Sequence, residues 1–496
     1  MRLFLGHDLG TSGLKSVLID VDGRVIASAH ASYPLARPRP GFVEQSPDDW
    51  WSAVCTTTQE LVAKIEDASS IGAITFAGQM LSLVALDAHG VPTRPAVSWL
   101  DGRADEQAAR FVRRFGGERM LHLIAGGSPT GKDIVAKIAW LEQHEPEVYR
   151  RTAAFTDATG ALVARATGSL VIDVTAAGCT GMLDAGSRTW SRALALLAGF
   201  PLAKMPRLVS CTEVVGGVTE GAARALGVRP GTPVVMGMAD IPAAAVGAGT
   251  TGPGEAHVYL GTSSWIGVSR SSPKNVPRAG IASVPAANDP GYLMIGESET
   301  AGACREWLAS RLGLTSEELD PLGAESPPGA NGLLFLPWLY GERSPFPDAQ
   351  LRGGFVGLSL DHDRSDMVRA VYEGTALNLR AILDACASAG EPCASLRAIG
   401  GGARSDLWMQ ILADASSRTI ERVAHPTLAG AIGAGLVGAV GVGAIGSVRA
   451  TSSRIAVERR FLPDASTTSV YARAREAMIE LAPALSRAAR KLAPRR

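Results

Sequence analysis

Two short runs, Gly10-Thr11-Ser12-Gly13 and Gly261-Thr262-Ser263-Ser264, are the stretches of this chain best suited to hold phosphate. Backbone N–H groups of such loops form anion-binding concavities, and Thr or Ser hydroxyls add further donors. One copy alone would read as an ordinary turn. Two copies, each following an apolar run and about one domain length apart, could clamp a polyphosphate from both sides.

A carboxylate stands near each piece of this chemistry. Asp8 closes the first apolar run just ahead of its loop, where it could hold Mg²⁺ directly or through water, or only stabilise the turn. Asp240 closes the run Pro233-Val234-Val235-Met236-Gly237-Met238, and strand ends of this kind face the ligand crevice in α/β proteins. A carboxylate is ionised at neutral pH and could accept the proton of an attacking hydroxyl. The same residue could instead cap the helix that opens at Ile241.

The elements that must position these groups are visible as punctuation. Leu3-Phe4-Leu5, the loop, Ser16 to Asp20, the turn Asp22-Gly23 and Val25-Ile26-Ala27 read as an antiparallel meander. Val258-Tyr259-Leu260 and Trp265-Ile266-Gly267-Val268 repeat this grammar around the second loop, which suggests a duplicated fold. Ala243 to Ala248 reads as a helix, with a domain boundary near Gly247 to Pro253. Arg369 to Ala389 has helical periodicity. Leu396 to Ile399 is then a short strand running into Gly400-Gly401-Gly402, with a new helix starting near Ser405-Asp406. Strand, glycine loop and helix in that order suit a nucleotide.

Size and composition set the outer bounds. A chain of 496 residues exceeds one ordinary core and predicts two domains. Hydrophobic residues at 46% and charged residues at 19% can fill two cores. Lys plus Arg and Asp plus Glu both total 48, so no net field recruits nucleic acid or an anionic membrane, and a small molecule is the expected partner. The basic run Arg487 to Arg496 reads as a solvated helix end. Six scattered cysteines without a CxxC pair give neither a zinc pattern nor a disulfide framework. The opening Met1-Arg2-Leu3-Phe4-Leu5-Gly6-His7-Asp8 turns polar too early for a signal peptide, which predicts a cytoplasmic protein. Leu428 to Ile445 is uncharged and nearly long enough to span a bilayer, but its many Gly and Ala residues predict a buried helix in close contact with its neighbours. Gly126-Gly127-Ser128-Pro129-Thr130-Gly131-Lys132 imitates a P-loop, yet Asp133 stands where Ser or Thr must ligand Mg²⁺. HExxH and GxSxG motifs are both missing from the sequence.

Taken together, Asp8-Leu9-Gly10-Thr11-Ser12-Gly13-Leu14-Lys15, Gly78-Gln79-Met80, Trp99-Leu100-Asp101-Gly102-Arg103, Gly261-Thr262-Ser263, Gly341-Glu342-Arg343-Ser344-Pro345 and Gly400-Gly401-Gly402-Ala403-Arg404-Ser405-Asp406 resemble the FGGY carbohydrate kinases, and within them the xylulokinases. The resemblance implies an α/β fold of two actin-like (ribonuclease H-type) domains, 1–248 and 249–496, with a cleft between them that closes on Mg-ATP and a small sugar or polyol. It implies Asp240 as catalytic base and Asp8 as the second catalytic carboxylate, beside the metal. Thr11, Ser12 and Lys15, with Gly261 and Thr262, match the phosphate loops. Gly401, Gly402, Ser405 and Asp406 match the adenine-nucleotide loop. Gln79, Met80, Leu81, Trp99, Asp101 and Arg103 fall on the sugar-contact segments. A homodimer is left open.

The chain also departs from the xylulokinase pattern. Leu81 stands where His is expected, Leu100 where Asn precedes Asp-Gly-Arg, and Ile241 where Asn follows the catalytic Asp. The family's Pro-Lys ahead of Trp140 is Ala136-Lys137, and its Lys-Asp-Tyr segment is missing around Thr159-Gly160-Ala161. The nucleotide motifs are intact and the sugar-side motifs have drifted. This implies a related acceptor, such as a deoxy-ketose, tetritol, ribulose, gluconate or glycerol, rather than lost kinase chemistry. A silent sugar sensor and an actin-like ATPase are the readings from other classes, and intact Asp8, Asp240 and Thr loops argue against silence.

Overall fold

The computed structural model describes residues 2–114, 116–117, 130–184, 186–288, 290–390 and 393–492. The chain divides into two units. The first is Met1–Thr251, Val284–Tyr292 and Leu428–Ile455; the second is Gly252–Ser283, Leu293–Thr427 and Ala456–Arg496.

In the first unit the apolar runs fold as expected: β1 (Leu3–Leu9), β2 (Gly13–Asp20) and β3 (Val25–Ser32) form an antiparallel meander. Gly23, at φ 78°, supplies the left-handed turn between β2 and β3. β4 (Ile71–Gly78), β5 (Val214–Gly217) and β6 (Pro233–Ala239) complete a six-stranded sheet of order β5-β6-β4-β1-β2-β3. β4 is buried at every position, as a strand flanked on both sides and covered on both faces must be. β1, β4 and β6 run parallel, and their registers pair Leu9 with Gly78 and Gly78 with Ala239. The residues that follow, Gly10, Gln79 and Asp240, therefore leave the sheet at one edge. α1 (Pro47–Val62) packs on the sheet, α2 (Ile134–His144) in a separate apolar cluster with Leu83, Val97 and Phe155, and α3 (Ala158–Thr167), α4 (Val174–Gly178) and α5 (Asp240–Ala248) again on the sheet.

The second unit repeats the plan. β7 (Ala256–Leu260) pairs with β8 (Ser264–Arg270) as β1 pairs with β2. With β9 (Ala282–Pro285), β10 (Tyr292–Ser298), β11 (Ser395–Ile399), β12 (Thr419–Val423) and β13 (Val457–Phe461) they make a seven-stranded sheet of order β9-β10-β8-β7-β11-β12-β13. β7, β11 and β12 are its parallel centre, and β13 returns antiparallel, as β5 does in the first sheet. Its helices include α6 (Gly302–Leu312), α7 (Arg364–Ser388) and α8 (Asp406–Ser416). α7 starts earlier than periodicity suggested because Asp363 and Asp366 form a reciprocal capping box. Ser405 caps α8 as expected, accepting from Trp408 N at 3.0 Å.

The uncharged stretch near the end of the chain forms α9 (Ala429–Gly441), buried within the first unit against α5, β1, β4 and β6. Glycine is required at its contacts: a Cβ at Gly247 would overlap the Ala429 carbonyl, and one at Gly433 the Ala243 carbonyl. No helix among the described residues is long and apolar enough to cross a membrane. The first four residues of the P-loop imitation, 126–129, lie outside the described residues. In its remainder, Asp133 accepts from Thr130 N at 2.6 Å and closes a turn. Of the basic run, Arg487 to Leu492 end the helix Thr468–Leu492, and 493–496 lie outside the described residues. All six cysteines are free thiols.

Candidate active site

In the first unit, the loop between β1 and β2 is fixed by its own backbone, with Gly10 N donating to Gly13 O at 3.1 Å, and by the Tyr33 hydroxyl, which donates to Gly10 O. Two further bonds tie it to distant segments. Gln45 Nε2 donates to Thr11 O at 2.8 Å, and Trp99 Nε1 to Thr11 Oγ1 at 2.9 Å. Because Thr11 Oγ1 accepts from the indole, its own hydroxyl proton is left to donate elsewhere. Gln79, almost fully buried, donates to Gln45 Oε1 at 2.7 Å, while its Oε1 is buried without a partner. Gln79 and Trp99 are thus hydrogen-bonded, one through Gln45 and one directly, to the Gly10–Gly13 loop.

Asp8 faces Lys15 across the β1–β2 ladder and lies against the first turn of α9, where a Cβ at Gly430 would overlap its carboxylate. It keeps partial exposure. Burial nonetheless pushes its carboxyl up to about 6, against the opposing pull of the Lys15 ammonium. A single carboxylate at a strand end beside an N–H-rich loop suits Mg²⁺, which keeps waters and shares itself with phosphate oxygens rather than entering an all-protein cage.

Asp240 is not the N-cap that sequence allowed. Ala239 is the N-cap and makes no side-chain cap, while Asp240 occupies the first turn of α5, where the helix field favours negative charge. Its Oδ1 accepts from Ile241 N at 2.9 Å. The strand end carrying it is held from behind: Ala239 N donates to Thr175 Oγ1 at 2.9 Å, and Thr175 Oγ1 in turn donates to the fully buried Asp173, the N-cap of α4. Burial, and then the charge of neighbouring Asp157, raise the Asp173 carboxyl well above the ordinary range.

A group whose folded-state pKa is raised stabilises the fold at pH values below its unfolded pKa, and that contribution is lost as the pH climbs through the folded one. The contribution of Asp173 to stability should therefore fall as the pH is raised from the acid range through neutrality. Asp173→Asn keeps the accepting Oδ1 and removes the charge. It should flatten that fall and stabilise the protein by about 1 kcal/mol or more above neutrality. Urea midpoints measured across this range check it, and an unchanged slope would show that Asp173 ionises in the fold as it does in the unfolded chain.

In the 98–103 segment, the structure uses Asp101 and Arg103 on one another. Asp101 is fully buried and accepts from Val43 N, from Arg103 N and Nε at 2.9 Å, and from Arg103 Nη2 at 2.7 Å. Arg103 also pairs with Glu44 at 2.8 Å and stacks on Phe42 and Trp140. The two brace the 98–103 turn, while Met80, Leu81, Trp99 and Leu100 retain partial exposure. Lys137, only 1% exposed, reaches the carbonyls of Leu81 at 2.8 Å and Ser98 at 2.9 Å.

In the second unit the Gly261–Ser263 turn is closed by Gly261 N to Ser263 O at 2.9 Å and docks on the start of α6. There Ala301 N and Ala303 N donate to Thr262 O at 2.9 and 3.0 Å. The Thr262 side chain is exposed. If its hydroxyl donates to phosphate, Thr262→Val should cost about 1.5–3 kcal/mol in ATP KM or kcat, and steady-state kinetics with both unchanged would reduce the loop to a turn. Gly402 packs so closely on Trp408 and Leu260 that a Cβ would stand 2.7 Å from the indole, whereas a Cβ at Gly401 would meet nothing within 4 Å, leaving that backbone open to a ligand. Asp406 is engaged by Arg422 at 2.6 Å and by Arg459. A cavity of about 450 Å³ opens beside Arg404, Arg422 and His425.

Gln45, Tyr33, Thr175 with Asp173, and Lys137 were not among the residues singled out for the site. Only Lys137 left a trace in the sequence, in the altered Pro-Lys motif.

Comparison with known proteins agrees with this geometry. Residues 3–247 match the N-terminal domain, and residues 256–442 the C-terminal domain, of the FGGY family of carbohydrate kinases. The xylulose kinase of Escherichia coli (strain K12) is 30% identical over 96% of this chain and 97% of its own. Among solved structures, a xyloylose kinase from Brucella ovis superposes with a TM-score of 0.90 at 30% identity, covering 98% of this chain and 99% of that one. A gluconate kinase from Lactobacillus acidophilus superposes with 0.89 at 25% identity, covering 99% and 100%. The chain belongs to the FGGY family of carbohydrate kinases, as a phosphotransferase with an alcohol group as acceptor.

Proposed function

We propose that this protein transfers the γ-phosphoryl group of Mg-ATP to a hydroxyl of a small sugar or polyol, with Asp240 as general base. The observation that carries the reading is the shared register of β1, β4 and β6, which brings the Thr11 loop, Gln79 and Asp240 to one edge of one sheet. Asp240 takes the acceptor hydroxyl's proton as that oxygen bonds to the γ-phosphorus and the bond from phosphorus to ADP breaks. Phosphoryl transfer needs little covalent help, so the rest of the site positions groups and offsets charge. Thr11, Ser12 and Lys15, and likewise Gly261 and Thr262, are assigned as donors to phosphate, and Gly401 and Gly402 to the nucleotide. Asp8 would hold Mg²⁺, which when bound neutralises phosphate charge. Acceptor contacts fall to residues 1–248 and nucleotide contacts to 249–496, with α9 as the segment of the second stretch that packs on Asp8. Such a kinase works in the cytoplasm, where ATP is abundant.

The test is a coupled assay for ADP release with xylulose, ribulose, gluconate, glycerol, tetritols and deoxy-ketoses. Sugar-dependent release supports the reading. Release independent of any sugar indicates an ATPase, and binding without release a sensor.

A further inference from the structure

We propose that Lys137 is the positioning residue of the acceptor side: by holding the carbonyls of both Leu81 and Ser98 it fixes the two turns, 79–81 and 98–101, that the sugar or polyol meets. This rests on the reading above that these turns form the acceptor pocket.

A lysine almost never sits in a protein interior unless its ammonium is matched. The partners of Lys137 on α2 are two main-chain carbonyls, 56 and 39 residues away along the chain, at 2.8 and 2.9 Å. The nearby carboxylate of Asp101 is already engaged by Arg103, which frees the ammonium for the carbonyls. One of the two carbonyls belongs to Leu81, whose φ of 61° lies in the left-handed region that leucine rarely adopts. Such a conformation persists only where its surroundings over-determine it, and such residues cluster at functional sites. The ammonium is attached at the carbonyl of that strained residue. The second carbonyl, from Ser98, leads directly into Trp99, whose indole holds Thr11 of the phosphate loop. A single buried cation therefore sets the relative placement of Met80-Leu81 and Trp99-Leu100.

The charge is itself adjustable. Burial lowers the Lys137 ammonium to about 7; the carboxylates of Asp101 and Asp133 oppose that shift, and Arg103 and Lys132 reinforce it. Losing the proton converts two charge-assisted hydrogen bonds into ordinary ones, which are about half as strong.

The test uses the full chain, with xylulose, ribulose and gluconate as acceptor probes. Lys137→Met keeps the stem and removes the donors. It should raise the acceptor KM about tenfold or more, with the ATP KM changed less than about twofold. Asn tolerates the left-handed region, so in a Leu81→Asn background the same change should cost much less. Acceptor and ATP KM rising together, neither rising, or an equal penalty in both backgrounds overturns the proposal. Leu100→Ala separates the failures. If neither Leu100→Ala nor Lys137→Met moves the acceptor KM, the acceptor-pocket reading itself falls; if only Leu100→Ala does, the clamp alone falls. Should Lys137→Met not fold, the wild type decides. Its acceptor KM should rise severalfold between about pH 6 and pH 8.5 with the ATP KM flat, and a flat acceptor KM overturns the proposal.

Discussion

Asp240→Asn is expected to lower sugar-dependent ADP release by about 10²–10⁴-fold, the usual loss for a general base, while ATP binding is spared. The substitution is nearly isosteric. The amide oxygen can still accept from Ile241 N, and Ala239 remains held by Thr175, so the strand end and the first turn of α5 should keep their geometry. What disappears is the acceptor for the hydroxyl proton and the negative charge at the helix start. Single-turnover kinetics with ATP titration separates the two steps. A mutant retaining more than about a tenth of wild-type kcat at neutral pH would remove Asp240 from the role of base.

Xylulose is expected to be a poor acceptor, with kcat/KM lower by about two orders of magnitude or more than for the best compound in the panel. Leu81, Leu100 and Ile241 replace side chains that could each hydrogen-bond a hydroxyl, and a buried hydroxyl left unpaired costs about 1–3 kcal/mol. The structure gives these residues different standing. Ile241 is only 7% exposed, and its N–H is bonded to Asp240. Leu81 and Leu100 retain partial exposure on the two turns held by Lys137. An apolar wall there suits a deoxy carbon, a shorter chain or a ring face. Finding xylulose to be the best substrate of the panel, with Leu81→His bringing no further gain, would overturn this expectation. Main-chain groups or waters would then be making the missing contacts.

The parts of the molecule that sequence revealed are those whose physics is local. Glycine, threonine and serine between apolar runs marked both loops, Ser405 marked the start of α8, and the glycines of α9 told a close-packed buried helix from a bilayer span. Thirteen of its residues form that helix, in contact with α5 and the sheet. The parts that stayed hidden depend on pairings between distant positions. Gln45 reaches Thr11 from 34 residues away and Thr175 reaches Ala239 from 64, and neither pairing leaves a local signal. Asp101 and Arg103 looked like ligand contacts by resemblance, but their two-residue spacing also suits the mutual bidentate brace they form here. The capping role open to Asp240 went to Ala239 because the helix starts one residue earlier than expected, at Asp240 itself.

The placement of α9 bears on how the chain is made. Its backbone is pressed against β1 and α5, so the first sheet lacks one of its covering layers until residue 441 has been synthesised. Vectorial folding, in which an N-terminal half matures while the rest is still on the ribosome, is therefore closed to this protein as a complete process. The early strands must wait with an apolar face uncovered while most of the second unit emerges. Maturation of the Asp8 carboxylate's surroundings is one of the last events rather than the first, and a nascent chain stalled before α9 would hold Asp8 and the Gly10–Gly13 loop without the helix that packs on that carboxylate.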